Sequence, residues 1–201
     1  SSVKDRIGLA MIEAAEKAGL QITPTATAPL FLDFDNDGDS DLFLASTGSQ
    51  MLFENRFVPD GTVTFRDISL QAGVDRFTQG YSAVSADVNG DGRPDIYVAS
   101  YNKYGVVMPD SWSQASNGTA KRLFPDEAAE VKSTQLLGKL AAGNSLFQNM
   151  GDGTFTEVSA ELGPFTAGWA WGGGFLDFDN DGWQDLHFPN GFVSGKSMKD
   201  T

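Results

Sequence analysis

Short apolar stretches separated by polar, glycine-bearing turns recur along the chain in a fixed order. Three segments align: FLDFDNDGDSDLFLAS from Phe31, SADVNGDGRPDIYVAS from Ser85 and FLDFDNDGWQDLHFPN from Phe175. Each is an apolar stretch, an Asp/Asn/Gly loop and a second apolar stretch. Two further elements repeat downstream of the first two loops: LFEN from Leu52 and LFQN from Leu146, followed by TFRDISLQAGV from Thr64 and TFTEVSAELG from Thr154. Short apolar runs bounded by turn residues predict strands. One unit therefore reads as four short strands over roughly 50 residues, the size of a propeller blade. A β-sandwich is the competing architecture, but it need not carry the same loop at the same place in every unit.

The first Asp residues of the loops, Asp33, Asp87 and Asp177, lie 54 and 90 residues apart. The longer interval comes from an insertion at about 103–143, which opens as loop sequence and then predicts a helix. Pro125 stands near its first turn, Asp126 and Glu127 at its positive end, and Val131, Leu136, Leu137 and Leu140 on one face. Such an insertion decorates one side of the blades and is a candidate recognition element. At the other end, Val3, Ile7, Met11, Ala14 and Ala18 form an apolar stripe that predicts an amphipathic helix ended by Gly19. The expected organisation is a helical lead-in over 1–25 and a propeller segment over 26–201. The third unit has 16 residues after Asp185, too few for outer strands. Closed propellers typically need about four to eight blades, so further sequence or another chain is expected to complete the ring.

The chemistry is concentrated in the loops. Loop one runs from Asp33 to Asp41, loop two from Asp87 to Asp95 and loop three from Asp177 to Asp185. Side-chain oxygens recur at positions 1, 3, 5 and 9: Asp33, Asp35, Asp37 and Asp41; Asp87, Asn89, Asp91 and Asp95; Asp177, Asp179, Asp181 and Asp185. An all-oxygen set suits a hard cation such as Ca²⁺, with the backbone carbonyls of Asp39, Arg93 and Trp183 at position 7 as further ligands. On this reading the position-7 side chain is free to vary. Gly38, Gly92 and Gly182 at position 6 supply a tight turn with positive φ. An EF-hand begins the same way but needs a bidentate Glu at position 12, where this chain has Leu44, Val98 and Phe188. The flanks are β-prone, so the ion clips a hairpin and acts structurally.

Composition narrows the function. The 201 residues carry 27 Asp plus Glu against 14 Lys plus Arg, a net charge of −13, which repels a phosphate backbone and argues against nucleic acid. Three bound Ca²⁺ ions would bring that charge to about −7. Cysteine is absent, so disulfides, thiolate catalysis and Cys-ligated metals are excluded. No apolar run reaches the roughly 20 residues of a membrane span. Weak Ca²⁺ sites fill outside the cytoplasm, where the ion is abundant, so a secreted, periplasmic or cell-surface location is expected.

At the loops and at LFEN and LFQN the chain resembles the FG-GAP/VCBS repeats of integrin α-subunit propellers. Two longer phrases, GNSLFQNMGDGTFTEVSAELG and GWAWGGGFLDFDNDGWQDLHFPNG, are similar to the ASPIC/UnbV-type, cartilage acidic protein-like group. The resemblance spans roughly residues 26–195. It implies Ca²⁺ held in blades by the Asp and Asn residues already named, a mostly secreted setting, and adhesion or binding rather than a reaction.

Outside the loops the candidates for a ligand or interface are Tyr101, Tyr104, Trp112, Trp169, Trp171 and His187. The tryptophans, with Trp183, read first as blade packing and second as a stacking surface for a sugar. His187, the one histidine, reads first as a hydrogen-bonded packing residue. The expected function is a Ca²⁺-stabilised extracytoplasmic module that binds a protein or glycan. The alternative is part of a secreted or periplasmic enzyme, such as a hydrolase, whose active site is completed elsewhere.

Overall fold

The computed structural model describes residues 15–20, 25–100, 143–163 and 170–189. Blade one consists of β1 (Ala26–Leu32), β2 (Asp41–Ser49), β3 (Met51–Asn55) and β4 (Phe65–Asp67), each antiparallel to the next. Blade two repeats this order with β5 (Phe77–Ala86), β6 (Asp95–Ser100), β7 (Ser145–Asn149) and β8 (Phe155–Glu157). A third unit contributes the hairpin of β9 (Gly174–Leu176) and β10 (Asp185–His187). The result is a partial β-propeller of four-stranded blades with an Asp-rich loop between the first two strands of each unit.

Strand alternation decides what each blade buries. On β6, Ile96 and Val98 join Phe43, Ala45, Leu52 and Phe147 in the core between blades one and two. The intervening Tyr97 and Ala99 point the other way and pack with Phe175, Leu186 and Phe188 of the third unit. The leading face of blade one, built by Leu42, Leu44, Met51 and Phe53, packs against Leu20. That residue follows the helical turn at 15–17, which ends where Gly19 adopts φ 89° and its N–H reaches the Glu16 carbonyl. The described end of the lead-in thus covers part of the first blade, and the rest of the 1–25 segment lies outside the described residues apart from Thr25. A polar joint stands beside the apolar core. Buried Gln50 donates to the Thr78 hydroxyl at 2.9 Å, and Thr78 lies 3.1 Å from the Ser100 hydroxyl on β6.

Two local features differ from the turns expected after the fourth strands. The SLQA and SAEL segments each wind into one helical turn, α2 (Ser69–Ala72) and α3 (Ser159–Leu162); an earlier turn, α1 (Phe57–Asp60), lies between β3 and β4. Gly73 and Gly163 end α2 and α3 in the left-handed region, at φ 75° and 96°. Ser69 and Ser159 are buried: the Ser69 hydroxyl accepts the Leu52 N–H, and the Ser159 hydroxyl donates to the Asn144 carbonyl. These tertiary bonds, to the third strand of blade one and to the residue before the third strand of blade two, fix a turn of helix that its length cannot sustain alone. The expected insertion helix lies outside the described residues.

Candidate metal centre

The three loops share one hydrogen-bond pattern. The position-1 carboxylate accepts the backbone N–H groups of positions 5 and 6, at 3.1 and 3.1 Å in loop one, 3.0 and 2.8 Å in loop two, and 3.0 and 3.0 Å in loop three. The position-3 oxygen accepts the position-5 N–H, and the position-5 carboxylate accepts that of position 7. The position-6 glycines lie at φ 97°, 82° and 90°, as expected. Position 4 is left-handed too, with Asn36 and Asn180 at φ 59° and Gly90 at 71°. Asn is the side-chain-bearing residue that most readily tolerates this conformation, so the DND triplets are backbone requirements as well as ligand sets.

Position 9 does more than offer an oxygen. In every unit it starts the second strand opposite the residue before position 1: Leu32 with Asp41, Ala86 with Asp95, Leu176 with Asp185. One oxygen accepts the position-2 N–H across the loop mouth, from Phe34, Val88 and Phe178. In the two complete blades the other oxygen accepts the N–H of the LFxN asparagine, Asn55 to Asp41 at 2.8 Å and Asn149 to Asp95 at 2.7 Å. The repeated LF(E/Q)N phrase therefore belongs to the site, a role its sequence position 19 or more residues downstream conceals.

Side chains at position 7 differ among the loops, and each makes its own contact. Asp39 accepts the Val58 N–H at 2.8 Å and keeps a buried oxygen without a partner among the described residues. Arg93 pairs with Asp91 at 2.5 Å and packs on Gly151. Trp183 leans on loop two: a Cβ added to Gly90 would lie 2.9 Å from its ring. Asn36 reaches the Gly92 carbonyl at 3.4 Å, so consecutive loops touch.

The oxygens fit a hard divalent cation. Asp33, Asp35 and Asp37 bring ligand atoms within 4.8 Å of one another, as do Asp177, Asp179 and Asp185, with no nitrogen or sulfur donor in either group. Loop two replaces one carboxylate with the Asn89 amide. Burial first, then repulsion from Asp37, raises the Asp35 carboxyl above its ordinary range. Burial pushes Asp41 up to about 7 and Asp95 in the same direction, while backbone donors led by Gly92 lower Asp87. A cation between such groups reverses the penalty on their charged forms.

A pH dependence follows. Asp41, Asp95 and Asp35 bind protons more tightly in the folded state than in the unfolded chain, so folded protein holds more protons between about pH 4 and 7. Metal-free protein is expected to lose stability as pH rises through that window, and saturating Ca²⁺ to remove or invert the slope. Urea unfolding at pH 4.5, 6 and 7.5 checks this; a metal-free stability that rises with pH contradicts the assignment.

Other candidates fall elsewhere. Trp171 and Trp183 are 48% and 55% exposed, not buried in a blade, because Trp171 stands against Tyr81 at 5.3 Å and Trp183 lies across loop two. His187 is exposed rather than packed: it occupies the strand position of Phe43 and Tyr97, which point into the following blade. Tyr101, Tyr104, Trp112 and Trp169 lie outside the described residues.

The blade order and the loop at the same hairpin of each unit agree with the comparison to known families. The FG-GAP-like repeat family matches residues 33–98 and 136–188, more than half of the chain. This chain belongs to the FG-GAP repeat family. A second FG-GAP repeat description matches residues 79–119. The chain is similar to cartilage acidic protein 1 of Mus musculus and of Homo sapiens, 29% identical over 195 residues in each case. The match covers 79% of this chain and 30% and 29% of those relatives, so the chain spans less than a third of their length. FG-GAP repeats are typically extracellular protein-interaction modules, and they often bind calcium. No helix among the described residues is long and apolar enough to cross a membrane.

Proposed function

We propose that this FG-GAP segment is a Ca²⁺-stabilised binding and assembly module working outside the cytoplasm, on the ASPIC/UnbV-type branch of the family. The observation that carries the reading is the recurrence of one loop hydrogen-bond pattern at the same hairpin of three consecutive units, with carboxylate oxygens gathered within 4.8 Å of one another in loops one and three. Asp33, Asp35, Asp37 and Asp41 would hold an ion in loop one, Asp87, Asn89, Asp91 and Asp95 in loop two, and Asp177, Asp179, Asp181 and Asp185 in loop three. The position-7 carbonyls of Asp39, Arg93 and Trp183 would add a ligand to each. The ion supplies positive charge that holds facing carboxylates together, a structural task. A secreted, periplasmic or cell-surface setting provides the concentrations such sites need.

The partner-facing side of this proposal is the trailing face of the third unit. Phe178 is 80% exposed there, whereas Phe34, at the same position in loop one, is 3% exposed because Phe155 of the next blade lies 6.1 Å away. The repeat rule assigns this face to another blade or to a protein or glycan partner. The test of the cation reading is equilibrium dialysis of metal-free protein against Ca²⁺, with bound metal counted by elemental analysis. Up to three ions per chain are expected; no retained calcium at millimolar concentrations would reject the reading.

A further inference from the structure

Between loops one and two runs an unbroken series of buried hydrogen bonds that crosses from one blade to the next. The Asp41 carboxylate accepts the Phe34 N–H at 3.1 Å, the Phe34 carbonyl accepts the Asn149 side-chain amide at 2.7 Å, and the Asn149 backbone N–H donates to Asp95 at 2.7 Å. Asp41, Phe34, Asn149 and Asp95 are all buried. Asn149 has little freedom to absorb a movement. Its Nδ2 also reaches the Pro94 carbonyl at 3.3 Å, and its Oδ1 accepts the Gly151 N–H at 2.9 Å. Asn55, the same residue in blade one, makes the equivalent local bonds to Asp41, the Ser40 carbonyl and the Phe57 N–H. The cross-blade bond to Phe34 is what Asn149 adds.

We infer that Asn149 couples the two loops, so that an ion in loop one prepares loop two to bind its own. The inference rests on the proposed cation reading and concerns how the loops influence one another. Phe34 lies between Asp33 and Asp35, so drawing those carboxylates onto an ion moves the carbonyl that Asn149 holds. Asn149 in turn positions Asp95, a candidate ligand of loop two. The exposed contact from Asn36 to the Gly92 carbonyl is a second link between the same loops. Asn149 is a positioning residue here, acting through Phe34 and Asp95. Coupling between binding sites is reciprocal, and typical magnitudes correspond to about 5- to 150-fold in affinity.

The experiment is calorimetric Ca²⁺ titration of the whole chain carrying Asp177→Asn and Asp179→Asn, so that loops one and two account for the binding. The two loops are expected to fill together, with a Hill coefficient above one. Adding Asp33→Asn and Asp35→Asn should weaken loop two about fivefold or more, and adding Asp87→Asn and Asp91→Asn instead should weaken loop one by the same factor. In Asn149→Ala, which keeps the backbone N–H to Asp95, loop two should lose most of its dependence on loop one, leaving what the Asn36 contact carries. Deuterium exchange supplies a readout that needs no Asn149 variant: in the chain with loop two silenced, Ca²⁺ should slow exchange across 145–150. Loop-two affinity unchanged by silencing loop one, or exchange at 145–150 unchanged, overturns the coupling while leaving the cation reading intact. Absence of Ca²⁺ binding in the unsubstituted chain rejects the cation reading itself, and the coupling with it.

Discussion

Replacing Asp95 with alanine is expected to destabilise the protein by about 3 kcal/mol even without metal, because two backbone donors lose their acceptor at once. Val88 and Asn149 donate to its two oxygens at 3.0 and 2.7 Å, and the carboxylate is fully buried. An orphaned buried donor costs about 1–3 kcal/mol; relief of the desolvated carboxylate offsets part of the pair's loss. Asp87→Ala provides the contrast. Asp87 also accepts backbone amides, from Asp91 and Gly92, but at exposed positions where water replaces it, so its cost without metal should stay below about 1 kcal/mol. Urea unfolding of both variants, metal-free and with Ca²⁺, separates the roles. Equal losses in metal-free protein would show that position 9 has no structural task beyond ligation.

Adding 10 mM Ca²⁺ to metal-free protein should raise its thermal midpoint by about 10 °C. Dissociation constants of about 10⁻⁴–10⁻³ M, the range of extracellular modules, give roughly 1.4–2.7 kcal/mol per filled loop at that concentration. For a chain of this size each kcal/mol is worth about 2–4 °C, so two or three filled loops suffice. Mg²⁺ should achieve much less, since it demands a tighter octahedron and gives up water reluctantly. Asp177→Ala should remove the share of its own loop, with a smaller effect in metal-free protein because its surroundings are exposed. Differential scanning calorimetry in Ca²⁺, Mg²⁺ and chelator is the measurement. Identical midpoints in Ca²⁺ and chelator would remove any stabilising role for the ion.

The loop itself is written in consecutive residues. Position-1 carboxylates cap the amides four and five residues on, and the glycine at position 6 takes its positive φ from local sterics. Such features need no partner from elsewhere in the chain, which is why D-x-(D/N)-x-D-G-x-x-D could be read as a cation loop between strands. Recurrence of the loop together with LFEN and LFQN likewise determined the four-stranded blade, since each phrase carries its own strand and turn signals. Tertiary structure alone decided what the phrases do for one another. Asn149 lies 54 residues from Asp95 and 115 from Phe34, yet it joins both. Residues of identical local type also parted ways according to their neighbours: Phe34 is covered by Phe155 and Phe178 is bare, and position 7 serves as hydrogen-bond acceptor, ion pair or aromatic cover. Backbone conformation is determined over a few residues and is legible in their order. Burial and long-range pairing depend on which blade stands alongside, and that is determined only when the sheets pack.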